Sequence, residues 1–127
     1  MPNKSSKNSS KISADISNPS NWNFGTKCLQ AGWKPKVGEP RVLPIFQSTT
    51  YKYEDVDEVE RLFALKQSGN KYTRTGNPTV AAFEAKITEL EGGVGAVATA
   101  SGQSAVLLAI SNLVKAGDHI VASKAVH

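Results

Sequence analysis

The sequence predicts an α/β fold: an N-terminal arm leads into the start of a parallel-sheet domain, incomplete as given. Three observations in the last third of the chain carry that expectation. Gly95-Ala96-Val97-Ala98-Thr99-Ala100 is a short apolar run, as a strand buried on both faces requires. Gln103 through Lys115 has helical length and is apolar nearly all round, with Ala105, Val106, Leu107, Leu108, Ala109, Ile110, Leu113 and Val114. After Gly117-Asp118 a second apolar run follows, His119-Ile120-Val121-Ala122. Strand, helix and strand at this spacing make a right-handed βαβ crossover with parallel strands. A helix apolar on every side must be covered on every side. The unit therefore calls for more sheet beside it, from further chain or from partner chains.

The earlier elements follow in order. Residues 1–21 are rich in Ser, Asn and Lys and read as a disordered polar tail. Lys4, Lys7 and Lys11 precede the first carboxylate, Asp15, so the net charge of +4 is partly a property of this tail. A nucleic-acid arm needs a denser basic run with interleaved aromatics, and that class is set aside. From Trp22 to Lys52 the chain is broken by Gly25, Gly32, Pro35, Gly38, Pro40 and Pro44. Its apolar residues show no period, so this stretch is expected to lie as an arm on a larger surface such as a partner subunit.

A first helix begins at Asp55, with Glu58 in the capping-box position and Val56, Val59, Leu62 and Phe63 as its apolar stripe. Gly69 closes that segment, and residues 70–76 are polar and not helical. Asn77-Pro78 starts a second helix, because Asn accepts backbone N–H groups and Pro suits the first helical position. Phe83, Ile87 and Leu90 mark its expected buried face, and Gly92-Gly93 its end. The expected organisation is a tail over 1–21, an arm with the first helix over 22–70, packing on a partner subunit, and the α/β start over 71–127.

Composition narrows the chemistry. Cys28 is the single cysteine, so an intrachain disulfide and a cysteine-built metal site are both excluded. His119 and His127 lie eight apart, which is no familiar ligand spacing. The basic start is not followed by an apolar stretch of secretory type, and no segment has the apolar length of a membrane span. A cytoplasmic location is the expectation.

Two places have the chemistry of an anion site. Ser101-Gly102-Gln103 follows the apolar run and opens a helix, where unpaired backbone N–H groups and the positive end of the helix dipole suit a phosphate. Ser101 can cap the helix or donate to the same anion. An ordinary N-cap without a ligand has the same sequence. The three-glycine dinucleotide pattern and the P-loop ending are both absent. Tyr72-x-Arg74 pairs a phenol with a guanidinium, both on one side if the backbone is extended. A solvated Arg beside a partly buried Tyr has this sequence too.

At these two places the chain resembles a known family. Tyr72-Thr73-Arg74-Thr75-Gly76-Asn77-Pro78-Thr79, Leu90-Glu91-Gly92-Gly93 and Ala100-Ser101-Gly102-Gln103-Ser104-Ala105, in this order and spacing, are similar to the pyridoxal-phosphate enzymes of cysteine and methionine metabolism. The resemblance runs from about Phe24 to His127. Phe24-Gly25-Thr26 with Ala31-Gly32, Pro44 through Tyr51, Leu62-Phe63-Ala64-Leu65 and Gln103 resemble most the branch that acts on O-acetylhomoserine and sulfide.

The resemblance implies the cofactor pyridoxal 5′-phosphate and a fold-type I domain. Ser101, Gly102 and Gln103 would hold the cofactor phosphate, the last two through backbone N–H groups. Tyr72 and Arg74 would reach across an interface to a neighbouring subunit's cofactor, in a dimer of dimers. His127 falls where the family places a tyrosine that stacks on the cofactor ring. The lysine that carries the cofactor lies beyond residue 127, so no catalytic residue is assigned. Partners would be a small amino-acid substrate and sulfide, with neither nucleic acid nor membrane. A cystathionine synthase or lyase of the same family, and a shortened non-catalytic interaction chain, are the alternatives.

Overall fold

Side-chain capping sets where three of the helices begin in this computed structural model, which describes residues 18–126. Helix α1 spans Phe24–Gln30, α2 Val56–Phe63, α3 Pro78–Glu91 and α4 Gly102–Leu113. Before α2, the Asp55 carboxylate accepts from the Glu58 N–H at 2.6 Å. Glu58 in turn accepts from the Glu54 N–H at 2.7 Å, one residue earlier than a capping box places that bond. Before α3, Asn77 Oδ1 accepts from the Thr79 N–H at 2.9 Å, and Pro78 occupies the first turn. Before α4, Ser101 Oγ accepts from the Ser104 N–H at 3.2 Å. Helix α3 closes on Gly92, in the left-handed region. The expected starts of all three helices agree with the structure to within one residue.

The end of α2 departs from the sequence reading. It stops at Phe63, well before Gly69. Leu65 takes φ +57. The Lys66 N–H donates to Arg61 O at 2.9 Å and the Leu65 N–H to Leu62 O at 3.2 Å. These two bonds are a Schellman closure with leucine where glycine is usual. Gly69 packs instead beside the buried Leu62, whose side chain a β-carbon there would meet.

The chain separates into two units, one up to Ala96 and one from Val97. In the first, helix α1 lies inside the segment read as irregular. Its N-cap Asn23 makes no side-chain cap bond, and Gly25 and Thr26 are poor helix formers. Packing on α3 holds it. Lys27 Nζ donates to Glu89 O at 3.1 Å, and Lys86 Nζ donates to Cys28 O at 3.0 Å. The arm is therefore fastened at least in part to its own chain. The buried apolar residues of the described chain are Ala31, Leu62 and Ala82. Phe83, expected on the buried face of α3, is 57% exposed, because α3 turns Ala82 rather than Phe83 toward the arm at Gly32. Pro19–Asn21 adds a single 3-10 turn at the end of the segment read as tail. The rest of that tail, residues 1–17, lies outside the described residues.

The second unit holds α4, flanked by residues 97–100 and 114–126. After α4 the Lys115 N–H donates to Asp118 Oδ2 at 2.7 Å and the Asp118 N–H to Lys115 O at 3.1 Å, which closes the expected turn. The runs expected as strands, 95–100 and 119–122, form no ladder among the described residues. A strand is defined by a ladder of bonds to a neighbouring strand, and the described residues supply no such neighbour. The apolar residues of α4 are correspondingly open, from 38% at Ile110 to 84% at Leu113.

Candidate cofactor-phosphate site

The Tyr72–Arg74 pair sits on a turn, so the condition of an extended backbone, under which both side chains would share one side, is not met. The Thr75 N–H donates to Tyr72 O at 2.9 Å, the Gly76 N–H to the same oxygen at 3.1 Å, and Thr75 Oγ1 to it at 2.9 Å. Three donors on one carbonyl bend the chain back. The Arg74 guanidinium thereby lies over the Tyr72 ring, 5.5 Å from its centroid, in cation–π geometry. Arg74 is exposed, and among the described residues its guanidinium has no hydrogen bond or ion pair.

The turn is fastened to the arm. Tyr72 forms an isolated antiparallel bridge with Thr50, and the Thr73 N–H donates to Thr49 O at 2.9 Å. Thr73 Oγ1 donates to Ser48 O. Asn77, 5% exposed, donates through Nδ2 to Phe46 O at 2.9 Å and to Thr73 Oγ1 at 3.2 Å. Thr79 Oγ1 accepts from the Phe46 N–H at 2.9 Å and lies 3.3 Å from Pro44 O. At the other end, Tyr53 donates its hydroxyl to Lys71 O at 2.6 Å, and Lys71 Nζ donates to Leu62 O at 3.0 Å. Residues 44–53 thus run along the turn and the start of α3. Thr73 and Asn77 were not singled out in the sequence as site residues. The Asn-Pro signal marked a helix cap, but nothing local records that the same amide reaches residue 46.

In the second unit, Ser101 caps α4 as expected. Its hydroxyl also lies 2.9 Å from that of Ser104, and Thr99 Oγ1 donates to Ser101 O at 2.8 Å. Gly102 opens the helix, and a β-carbon there would meet nothing within 4 Å, so an approaching anion finds the backbone open. Gln103 occupies the first turn beside it. A helix of 12 residues presents its positive end at this point. His127 lies outside the described residues.

The donor types fit a phosphate monoester. In the first unit a phenol and a guanidinium without an acid partner among the described residues, and separately in the second unit the first-turn amides of a helix, are hydrogen-bond donors or cations. Among the described residues, no His, Cys, Asp and Glu group could hold a metal ion, and no helix is long and apolar enough to cross a membrane.

Known proteins share much of this sequence. The chain is 46% identical over 110 residues to an O-acetyl-L-homoserine sulfhydrylase of Leptospira meyeri, covering 86% of this chain and 25% of that protein. It is 38% identical over 106 residues to an L-methionine gamma-lyase of Fusobacterium nucleatum, covering 84% of this chain and 27% of that protein. A crystal structure of a chain assigned as O-acetylhomoserine (thiol)-lyase from Campylobacter jejuni, holding N′-pyridoxyl-lysine-5′-monophosphate, superposes with TM-score 0.70 at 33% identity. That match covers 77% of this chain and 24% of the other. The chain spans about a quarter of the length of the curated relatives it matches. The model of the Cys/Met metabolism PLP-dependent enzymes matches residues 25–127, and the chain belongs to that family.

Proposed function

We propose that this chain supplies phosphate-binding elements to an enzyme that converts O-acetylhomoserine and sulfide into homocysteine and acetate with pyridoxal 5′-phosphate. The observation that carries the reading is Arg74: an exposed guanidinium with no acid partner among the described residues, stacked on Tyr72, on a turn fastened at several points. Such a cation is preorganised for an anion that comes from outside its own unit. The greater likeness to the sulfhydrylase than to the gamma-lyase favours γ-replacement over elimination.

In this reading Arg74 and Tyr72 grip the phosphate of a cofactor bound to a second copy, within a dimer of dimers, and the arm over 22–70 also meets that copy. Gly102 and Gln103 offer backbone N–H groups to the phosphate of the cofactor on their own chain. Ser101 caps α4 so that those amides point outward, and His127 lies beside the cofactor ring. When bound, pyridoxal phosphate withdraws electrons from the carbons next to the substrate amino group, so that protons there can leave and the γ-substituent can be exchanged. The residues of this chain bind and orient, and none of them is assigned as the proton-moving lysine. The cytoplasm is the proposed location.

Two measurements on the whole protein test the reading. Titration of the apoprotein with pyridoxal phosphate should show at least about tenfold weaker binding in Arg74→Ala, the scale of a lost charge-assisted pair. An unchanged titration removes Arg74 from the site. Supplied with O-acetylhomoserine and sulfide, the protein should release homocysteine and acetate. Preference for cysteine as the thiol, giving cystathionine, or rapid elimination from methionine, would move it to another branch of the family.

A further inference from the structure

The Thr73 hydroxyl is a meeting point. It donates to Ser48 O, accepts from Asn77 Nδ2 at 3.2 Å, and lies 3.4 Å from the Tyr51 hydroxyl. Asn77 carries the link onward to Phe46 O at 2.9 Å. Two of these partners lie on the arm, and the third connects to it. Thr73 itself stands between Tyr72 and Arg74, the residues assigned to the phosphate. Asn77 is almost wholly buried and uses both ends of its amide, Oδ1 for the helix cap and Nδ2 for the arm and the turn. A cap alone would need only the oxygen, which Ser supplies equally well. The second half of the amide therefore has a purpose beyond starting α3.

We propose that Thr73 and Asn77 are a positioning pair: they lock the Tyr72–Arg74 turn to the arm at residues 46–51 and so hold the guanidinium in place before a phosphate arrives. Neither residue touches the cofactor. Each acts through Arg74, by removing alternative conformations of the turn that binding would otherwise have to suppress. The inference rests on the assignment of Tyr72 and Arg74 to the cofactor phosphate.

A double-mutant cycle in the whole protein tests it, read as the dissociation constant for pyridoxal phosphate added to apoprotein. Thr73→Val keeps the shape of the side chain and removes its hydroxyl. Asn77→Ser keeps the α3 cap and removes the amide donor. Each should weaken cofactor binding about three- to tenfold in the presence of Arg74, and by less than about twofold in the Arg74→Ala background. Thr73→Ser, which restores the hydroxyl, should bind as the parent does. Equal fold losses in both backgrounds would mean that the pair merely supports the fold, and would overturn the proposal. So would an unchanged dissociation constant in both single variants. If Arg74→Ala itself binds cofactor as the parent does, the phosphate assignment fails and this inference with it. A weakened Arg74→Ala with additive partners leaves the assignment standing and removes only the positioning role.

Discussion

Gly32 is seated against Ala82. A β-carbon at Gly32 would fall inside the contact shell of the Ala82 carbonyl oxygen and 2.9 Å from Lys86 Cβ, and the φ of Gly32 is +85. Both the space and the backbone demand glycine. This closeness lets the arm lie flat on α3, with Ala31 and Ala82 buried between them. Gly32→Ala combines a left-handed non-glycine residue with an overpacked joint. It should cost about 2–4 kcal/mol, read as a lower denaturation midpoint of the whole protein. Unaltered stability would show that the arm does not rest on α3 in this way.

Leu65 offers the opposite experiment. It sits at φ +57 in the Schellman closure of α2, and its side chain is 81% exposed. Leu65→Gly removes the backbone penalty and little packing. After the larger entropy of glycine in the unfolded chain is set against it, a gain of about 0.5–1 kcal/mol remains. A loss of stability in the assembled protein would instead mean that another surface covers the Leu65 side chain.

Tyr72 contributes a ring and a hydroxyl, and these can be separated. Tyr72→Phe preserves the face under the Arg74 guanidinium and deletes the phenol donor. Cofactor binding should weaken by roughly 10–100-fold, the value of one hydrogen bond to a charged acceptor. Tyr72→Ala should weaken it further, because the cation loses its platform. Equal binding by Tyr72→Phe and the parent would assign the tyrosine to positioning alone.

Lys27 makes two bonds to one residue of α3: its ammonium donates to Glu89 O at 3.1 Å and lies 3.8 Å from Glu89 Oε2. The carbonyl bond should matter more, because the ion pair is long and partly solvated, with side-chain exposures of 17% and 29%. Glu89→Gln should therefore change stability by less than about 0.5 kcal/mol, and Lys27→Met should cost about 1 kcal/mol. Thermal denaturation of the two variants checks the order; a larger effect from Glu89→Gln would reverse it.

Features written in short-range chemistry were legible in the sequence. Asp55, Asn77 and Ser101 cap the helices they were expected to cap, because a cap involves residues two or three apart. The pairing of Tyr72 with Arg74 was legible too, but its geometry was not. The turn depends on Thr75 and Gly76 choosing the Tyr72 carbonyl over solvent, and no apolar period marks that choice. Helix α1 was missed for a different reason. Phe24-Gly25-Thr26 has weak helical preference, and the helix is secured by Lys27 and Lys86, whose carbonyl partners lie 62 and 58 residues away. The exposure of Phe83 has the same origin: the face that α3 buries was decided by Gly32, about fifty positions earlier. The expected parallel sheet was legible only as apolar runs: a strand is completed by a ladder to a neighbouring strand, and residues 95–100 and 119–122 form no ladder among the described residues.

The buried amide of Asn77 leaves a mark that comparison among descendants of this sequence can read. It donates to residues 46 and 73 and accepts from residue 79. Aspartate has the length but no donor, serine has the acceptor but not the reach, and glutamine sets its amide one carbon too far. Next to it, Gly76 has open space around its α-carbon and no positive φ. Adjacent positions in one polar turn should therefore drift at very different rates, the first nearly frozen and the second free to accept larger residues.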